Sequence, residues 1–173
     1  QHIASYLGEK ASAGLSATLH KKLRYGENPA QEAWWYQTQS VGLHQAEVIQ
    51  GKELSYNNLL DLDSAISTLR LFPEEPAVVS VKHNNPCGVA VADTIEEALS
   101  KSLQADPVSV FGGIIALNKE VNLACAQQLS ALFLECVVAP TITEDARQHL
   151  AAKKNLRVLL WPQITQPEAE SQD

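Results

Sequence analysis

The chain has 173 residues, enough for one domain with a core of its own, and 45% of them are hydrophobic, the ordinary range for a globular domain. Thirteen Lys and Arg against twenty Asp and Glu give a net charge of -7, which disfavours non-specific nucleic-acid binding but leaves room for a local basic pocket. No run reaches the roughly 20 apolar residues of a membrane span, and no basic stretch followed by an apolar one marks a secretion signal.

Residues 2–15, through Ile3, Tyr6 and Leu7, form a short expected helix that two glycines weaken. "LHKKLRY" reads as a strand or extended segment, and "RYGENPAQ" breaks regular structure at Gly26, Asn28 and Pro29. "AWWYQ" and "AEVIQG" are short strands. In "NNLLDLDSAISTLRLF", Leu59, Leu62, Ile66 and Leu69 recur at helical spacing, with Asn57 or Asn58 as the cap. "AVVSV" follows as a buried strand and hands over to a turn in "NNPCG".

"TIEEALSKSL" carries a capping box, Thr94 with Glu97 three residues on. "GGIIAL", "CVVAP" and "LRVLL" are strands, separated by the helices "NLACAQQLSALF" and "TEDARQHLAAKK". The second of these begins acidic and ends basic, which suits the helix dipole. The tail "PQITQPEAESQD" is polar and Pro-containing and reads as a flexible segment or linker. Helix and strand alternate from residue 59 onward, which argues an α/β layered fold with a parallel or mixed sheet.

Lys82 and His83 end an apolar strand with two polar side chains. An imidazole can take a proton at neutral pH, and an ammonium can stabilise an oxyanion or protonate a leaving group. Adjacent residues on an ideal strand face opposite sides, so the pair meets at one site only if the backbone turns there. A solvated strand end is the plainer alternative. Arg24 and Tyr25 precede Gly26; a guanidinium fork suits a phosphate and a phenol ring packs on a flat ligand, though an ordinary turn explains them too. Phe111 stands beside Gly112 and Gly113, where a backbone can approach a ligand, without the spacing of a dinucleotide or Walker loop.

Cys87, Cys125 and Cys136 are odd in number and lack metal-ligand spacing, so they read as small core residues with reduced thiols, as in a cytoplasmic protein. His2, His20, His44 and His149 do not cluster and read as surface residues. The start at Gln1 and the absence of Met read as a processed or excised piece.

"LRYGENP", "GKELSYNNLLDLDSA", "VKHNNPCGVA", "DPVSVFGGIIALN" and "KKNLRVLL" occur in this order, and over residues 20–160 the chain resembles the transformylase part of the AICAR transformylase/IMP cyclohydrolase family of purine biosynthesis. The resemblance implies a three-layer, cytidine-deaminase-like α/β/α fold, one of the two halves of the transformylase region. It divides the chain into a lead-in from a cyclohydrolase domain (1–20), a first transformylase subdomain (21–161) and a tail or linker (162–173). It implies formyl transfer from the co-substrate 10-formyltetrahydrofolate to the 5-amino group of AICAR, without a catalytic metal. Lys82 and His83 would be catalytic. Arg24, Tyr25, Asn58, Phe111 and Gly112 would bind the nucleotide. The implied partners are the second transformylase half and a homodimer, not nucleic acid or a membrane.

Three departures are mild: Ala30 stands where the family has His, Asn84 where Thr is commoner, and Val110 where Ala is commoner. The larger one is length, since only one half is present. A non-catalytic fragment that binds nucleotide weakly, or needs a complementary half, is therefore the alternative. The zinc motif of nucleobase deaminases, H-x-E with C-x-x-C, is absent.

Overall fold

Four apolar runs, AVVSV, IIAL, CVVA and RVLL, have no continuous polar face, so a sheet built from them has to be covered on both sides. The computed structural model describes residues 16–38 and 41–166. The strands are β1 Thr18–Lys22, β2 Trp34–Gln37, β3 Glu47–Gln50, β4 Ala77–Lys82, β5 Asn85–Val91, β6 Ile114–Leu117, β7 Cys136–Ala139 and β8 Arg157–Leu160. The helices are α1 Tyr56–Leu69, α2 Ile95–Ala105, α3 Leu123–Ser130 and α4 Glu144–Leu150. The helix expected over 2–15 lies outside the described residues.

β1 and β2 form a separate antiparallel pair, while six strands make a mixed sheet in the order β3-β8-β7-β6-β4-β5. β6, β7 and β8 run parallel, and β3, β4 and β5 are antiparallel to their neighbours. Side-chain alternation sends Val79, Val81, Ile114 and Cys136 to one face, where Leu62, Ala65, Ile66 and Leu69 of α1 cover them. Val78, Ile115, Leu117 and Val137 face the other way, against Ile95, Leu99, Cys125, Leu129, Ala146 and Leu150 of α2, α3 and α4.

Three expectations are corrected. Pro86, Cys87 and Gly88 are not a turn but part of β5, an edge strand where Pro costs no ladder bond on the free side. α1 is capped by Ser55 rather than by Asn57 or Asn58. The Ser55 hydroxyl accepts from the Asn58 N–H, and the Asn58 side chain accepts from the Ser55 N–H, a reciprocal box. The segment after Trp161 is packed at its start: Ile164 is buried in the α1 core, and Arg70 Nε donates to its carbonyl at 3.1 Å.

Buried polar groups fasten the layers. Asn118, after β6, donates to the carbonyls of Phe72 and Glu75 and accepts from the Ala77 N–H, which fixes the α1–β4 connection. On the other face, the hydroxyls of Ser80 and Ser102 lie 2.7 Å apart, and Ser102 also bonds the Gly88 carbonyl. α2 comes so near β5 that a Cβ on Gly88 would lie 2.1 Å from the Ser102 carbonyl oxygen.

Gly88→Ala should therefore force α2 off the sheet edge, at a cost of about 1–3 kcal/mol typical of overpacking. Urea unfolding should show a lower midpoint with the slope preserved. An unchanged midpoint would mean that α2 tolerates the added methyl and that this contact is not tight.

Candidate active site

β4 pairs with β5 so that Lys82 faces Asn85, which leaves His83 and Asn84 as a two-residue connection. Their φ angles are 51° and 63°. Positive φ at both central residues is the signature of a type I′ hairpin, whose twist matches that of paired strands. His and Asn are among the few non-glycine residues that accept that region.

The turn is fastened to α1. Asn84 N–H donates to Asp61 Oδ1 at 2.6 Å, Ser64 Oγ donates to the Asn84 carbonyl at 3.2 Å, and Asn85 Nδ2 donates to the His83 carbonyl at 2.9 Å. His83 is thereby held exposed at the tip while Lys82 is half-buried behind it. The Lys82 ammonium donates to the Gly112 carbonyl at 2.8 Å. Gly112 has φ 68°, and a Cβ there would lie 2.9 Å from Lys82 Nζ.

Lys82, His83 and Gly112 line an open cleft of about 430 Å³ together with Tyr25, Glu27, Ser55, Asn57, Asn58, Asp61 and Glu135. The backbone turn that the Lys-His pair requires is present, one residue earlier than the sequence suggested. The cleft lies at the carboxyl end of β4 and, because β4 is antiparallel to β6, at the amino ends of the three parallel strands. The N-terminus of α1 also opens there, through Ser55, Asn57 and Asn58.

The Arg24–Glu27 segment is laid against α1 by backbone bonds: Arg24 N–H donates to the Leu54 carbonyl, and Tyr56 N–H to the Tyr25 carbonyl, both at 3.1 Å. Asn57 Nδ2 adds a bond to the Glu27 carbonyl. Of the residues expected at the site, Tyr25, Asn58, Lys82, His83 and Gly112 share the cleft. Arg24 and Phe111 are not in its lining. Arg24 is exposed, its guanidinium 5.4 Å from the centre of the Tyr25 ring. Phe111 is 61% exposed, its ring 5.3 Å from that of Phe133.

Sequence reasoning missed the three acids of the lining, Glu27, Asp61 and Glu135. Asp61 follows Asn57 and Asn58 by four and three positions on α1, the spacing of one helical face. Glu135 breaks an apolar run between Leu134 and Cys136, the signal that could have found it. Asn58 Nδ2 donates to Glu135 Oε2 at 3.3 Å, and buried Arg157 reaches the same oxygen at 3.2 Å.

The cysteines stay out of this chemistry. Burial pushes the thiol of Cys125 up to about 11 and that of Cys136 to about 12, so both are inert core residues near neutral pH. Cys87 is half-buried, and burial raises its thiol too. Among the described residues, no three His, Cys, Asp or Glu side chains are grouped to hold a metal ion, and no helix is long and apolar enough to cross a membrane.

The chain is 47% identical to the bifunctional purine biosynthesis protein PurH of Halalkalibacterium halodurans, over 98% of its own length and 34% of that protein's. It is 51% identical to PurH of a Nostoc species, over 91% of the chain and 31% of the relative. It is 50% identical to PurH of Bacillus subtilis, over 91% and 32%. The chain thus spans about a third of the length of the curated relatives it matches. Among solved structures, two forms of Acinetobacter baumannii RibD overlap 57% and 58% of the chain and 35% of their own, with TM-scores of 0.46 and 0.41 at 15% and 16% identity. The family model described as AICARFT/IMPCHase bienzyme matches residues 1–173. Matched by it from end to end, the chain belongs to the AICARFT/IMPCHase bienzyme family.

Proposed function

We propose that the chain is the first, cytidine-deaminase-like half of a transformylase unit in purine biosynthesis, and that its cleft transfers a formyl group from 10-formyltetrahydrofolate to the 5-amino group of AICAR. The observation that carries this reading is the Lys82–His83 pair at a fixed turn, both facing one cleft.

The acceptor amine is a poor nucleophile because its lone pair is delocalised into the imidazole carboxamide. His83, exposed at the tip of the turn, takes the amine proton as the nitrogen attacks the formyl carbon. The carbonyl becomes an oxyanion. The Lys82 ammonium has three N–H donors, of which one is committed to the Gly112 carbonyl, and the others are free for that oxygen and for the departing folate nitrogen. Collapse breaks the bond between the formyl carbon and the folate nitrogen, and that nitrogen leaves with the proton. Tyr25, Asn58 and the Gly112 backbone form the nucleotide wall. Arg24 and Phe111, both exposed beside the cleft, meet the phosphate and the flat part of the ligand when the remainder of the site closes over them. The reading also includes a homodimer in the cytoplasm, with the second transformylase half supplying the opposite wall.

In the complete protein, His83→Ala should lower turnover at least ~100-fold, the scale of a lost general base. Lys82→Arg keeps the charge but not the compact ammonium beside Gly112, and should also turn over poorly. Near-normal formyl transfer in both variants would sink the assignment.

Arg24→Ala should weaken AICAR binding by about 1.5–3 kcal/mol, the value of a charge-assisted hydrogen bond, and folate-analogue binding less. Calorimetry with each ligand separates the two, and equal losses would point to a folding defect.

The isolated chain should be inactive or self-associated, because holding two substrates in register supplies ~7–11 kcal/mol of such a barrier and one wall cannot do it. Mixing it with the remaining part of the transformylase should restore formyl transfer. Full turnover by a monodisperse preparation of this chain alone would refute the two-wall reading.

A further inference from the structure

Arg157 is the most deeply buried charge beside the cleft, 5% exposed, at the start of β8. Its Nη1 donates to Glu135 Oε2 at 3.2 Å, and its Nε donates to the Glu53 carbonyl at 3.1 Å. The Arg157 backbone N–H donates to the Glu135 carbonyl at 3.0 Å. One residue thus grips Glu135 twice and holds the segment that leads into the Ser55 cap of α1. The Glu135 side chain is 41% exposed, facing the cleft, and the oxygen that Arg157 engages also accepts from Asn58 Nδ2.

A guanidinium this buried is costly to desolvate, and a surface ion pair would serve stability as well. The burial makes sense if the geometry of the carboxylate matters. With Oε2 fixed between Arg157 and Asn58, rotation of the Glu135 side chain is blocked. Its other oxygen, which no described residue engages, is presented to the cleft at a set angle.

We propose that Arg157 is a positioning residue for the ligand wall. It acts through Glu135, and through Glu135 on the Asn58 amide, without touching the ligand itself. This rests on the reading of the cleft as the nucleotide site. Lys cannot replace Arg157 in the role, because a single ammonium cannot span the Glu53 carbonyl and the Glu135 carboxylate in one plane. Glu135→Gln keeps the shape of the side chain but removes the charge that Arg157 grips.

The test is a double-mutant cycle in the complete protein, with Arg157→Lys, Glu135→Gln and the double variant. Each single variant should raise the dissociation constant and KM for the aminoimidazole nucleotide about tenfold or more, as expected for a lost charged hydrogen bond. The KM for the formyl donor should move less. The double variant should be no worse than the poorer single one, because both changes break one unit. Independent, multiplying losses would overturn the proposal, and so would an unchanged nucleotide constant in Arg157→Lys. Should that variant fold poorly, Arg157→Gln in the Glu135→Gln background gives the same comparison: further loss of nucleotide binding there overturns the proposal, and none supports it. Calorimetric binding of the nucleotide reports on this wall even if His83→Ala leaves turnover intact, so failure of the catalytic reading and failure of this inference are seen separately.

Discussion

A two-residue connection between antiparallel strands dictates its own backbone, and at the end of β4 that requirement falls on His83 and Asn84. Both are held at positive φ, a region that costs an ordinary L-residue roughly 1–2 kcal/mol. Asp61 and Ser64 of α1 hold the turn from outside by accepting from and donating to Asn84. The helix that covers one face of the sheet therefore also fixes the polar tip of the hairpin. The short amide of Asn84 tolerates the left-handed region better than a β-branched side chain would.

From that turn the rest of the cleft is set by which strands lie next to one another. β4 is antiparallel to β6, so its end meets the beginning of β6, where Gly112 offers a carbonyl to the Lys82 ammonium. The absence of a side chain at Gly112 gives the ammonium its place, since a methyl there would take the space. One strand further, Glu135 precedes β7, and beyond it Arg157 opens β8. The cleft is a row of strand beginnings closed at one side by the N-terminus of α1.

The sheet strands and helices were largely legible from residue 47 onward, because buried strands are short apolar runs and the helices carry their own spacing and caps. β5 was not, since Pro86 and Gly88 look like breakers in one dimension. An edge position removes the objection to Pro86, and the proximity of α2 gives Gly88 its reason. Lys82 and His83 could be singled out because polar residues stood at the end of a hydrophobic strand. Glu135 could not be tied to Asn58 or Arg157, which lie 77 residues before it and 22 after it. Their relation exists only once β7 and β8 are side by side. Arg24 and Phe111 were legible as unusual residues, but neither lines the cleft.

Chain separation also divides the cleft into two parts of different entropic character. Lys82 and His83 are consecutive in the chain, and the hairpin that orients them closes only the two residues between Lys82 and Asn85, at little loop-closure entropy. Gly112 reaches Lys82 across 30 residues and Glu135 reaches Asn58 across 77, and each closure reduces chain freedom more. Local hairpin contacts also form faster than distant ones. A partly unfolded or heated chain should accordingly keep its ammonium and imidazole together after the surrounding wall has opened. The part that would shape a ligand is the first to go.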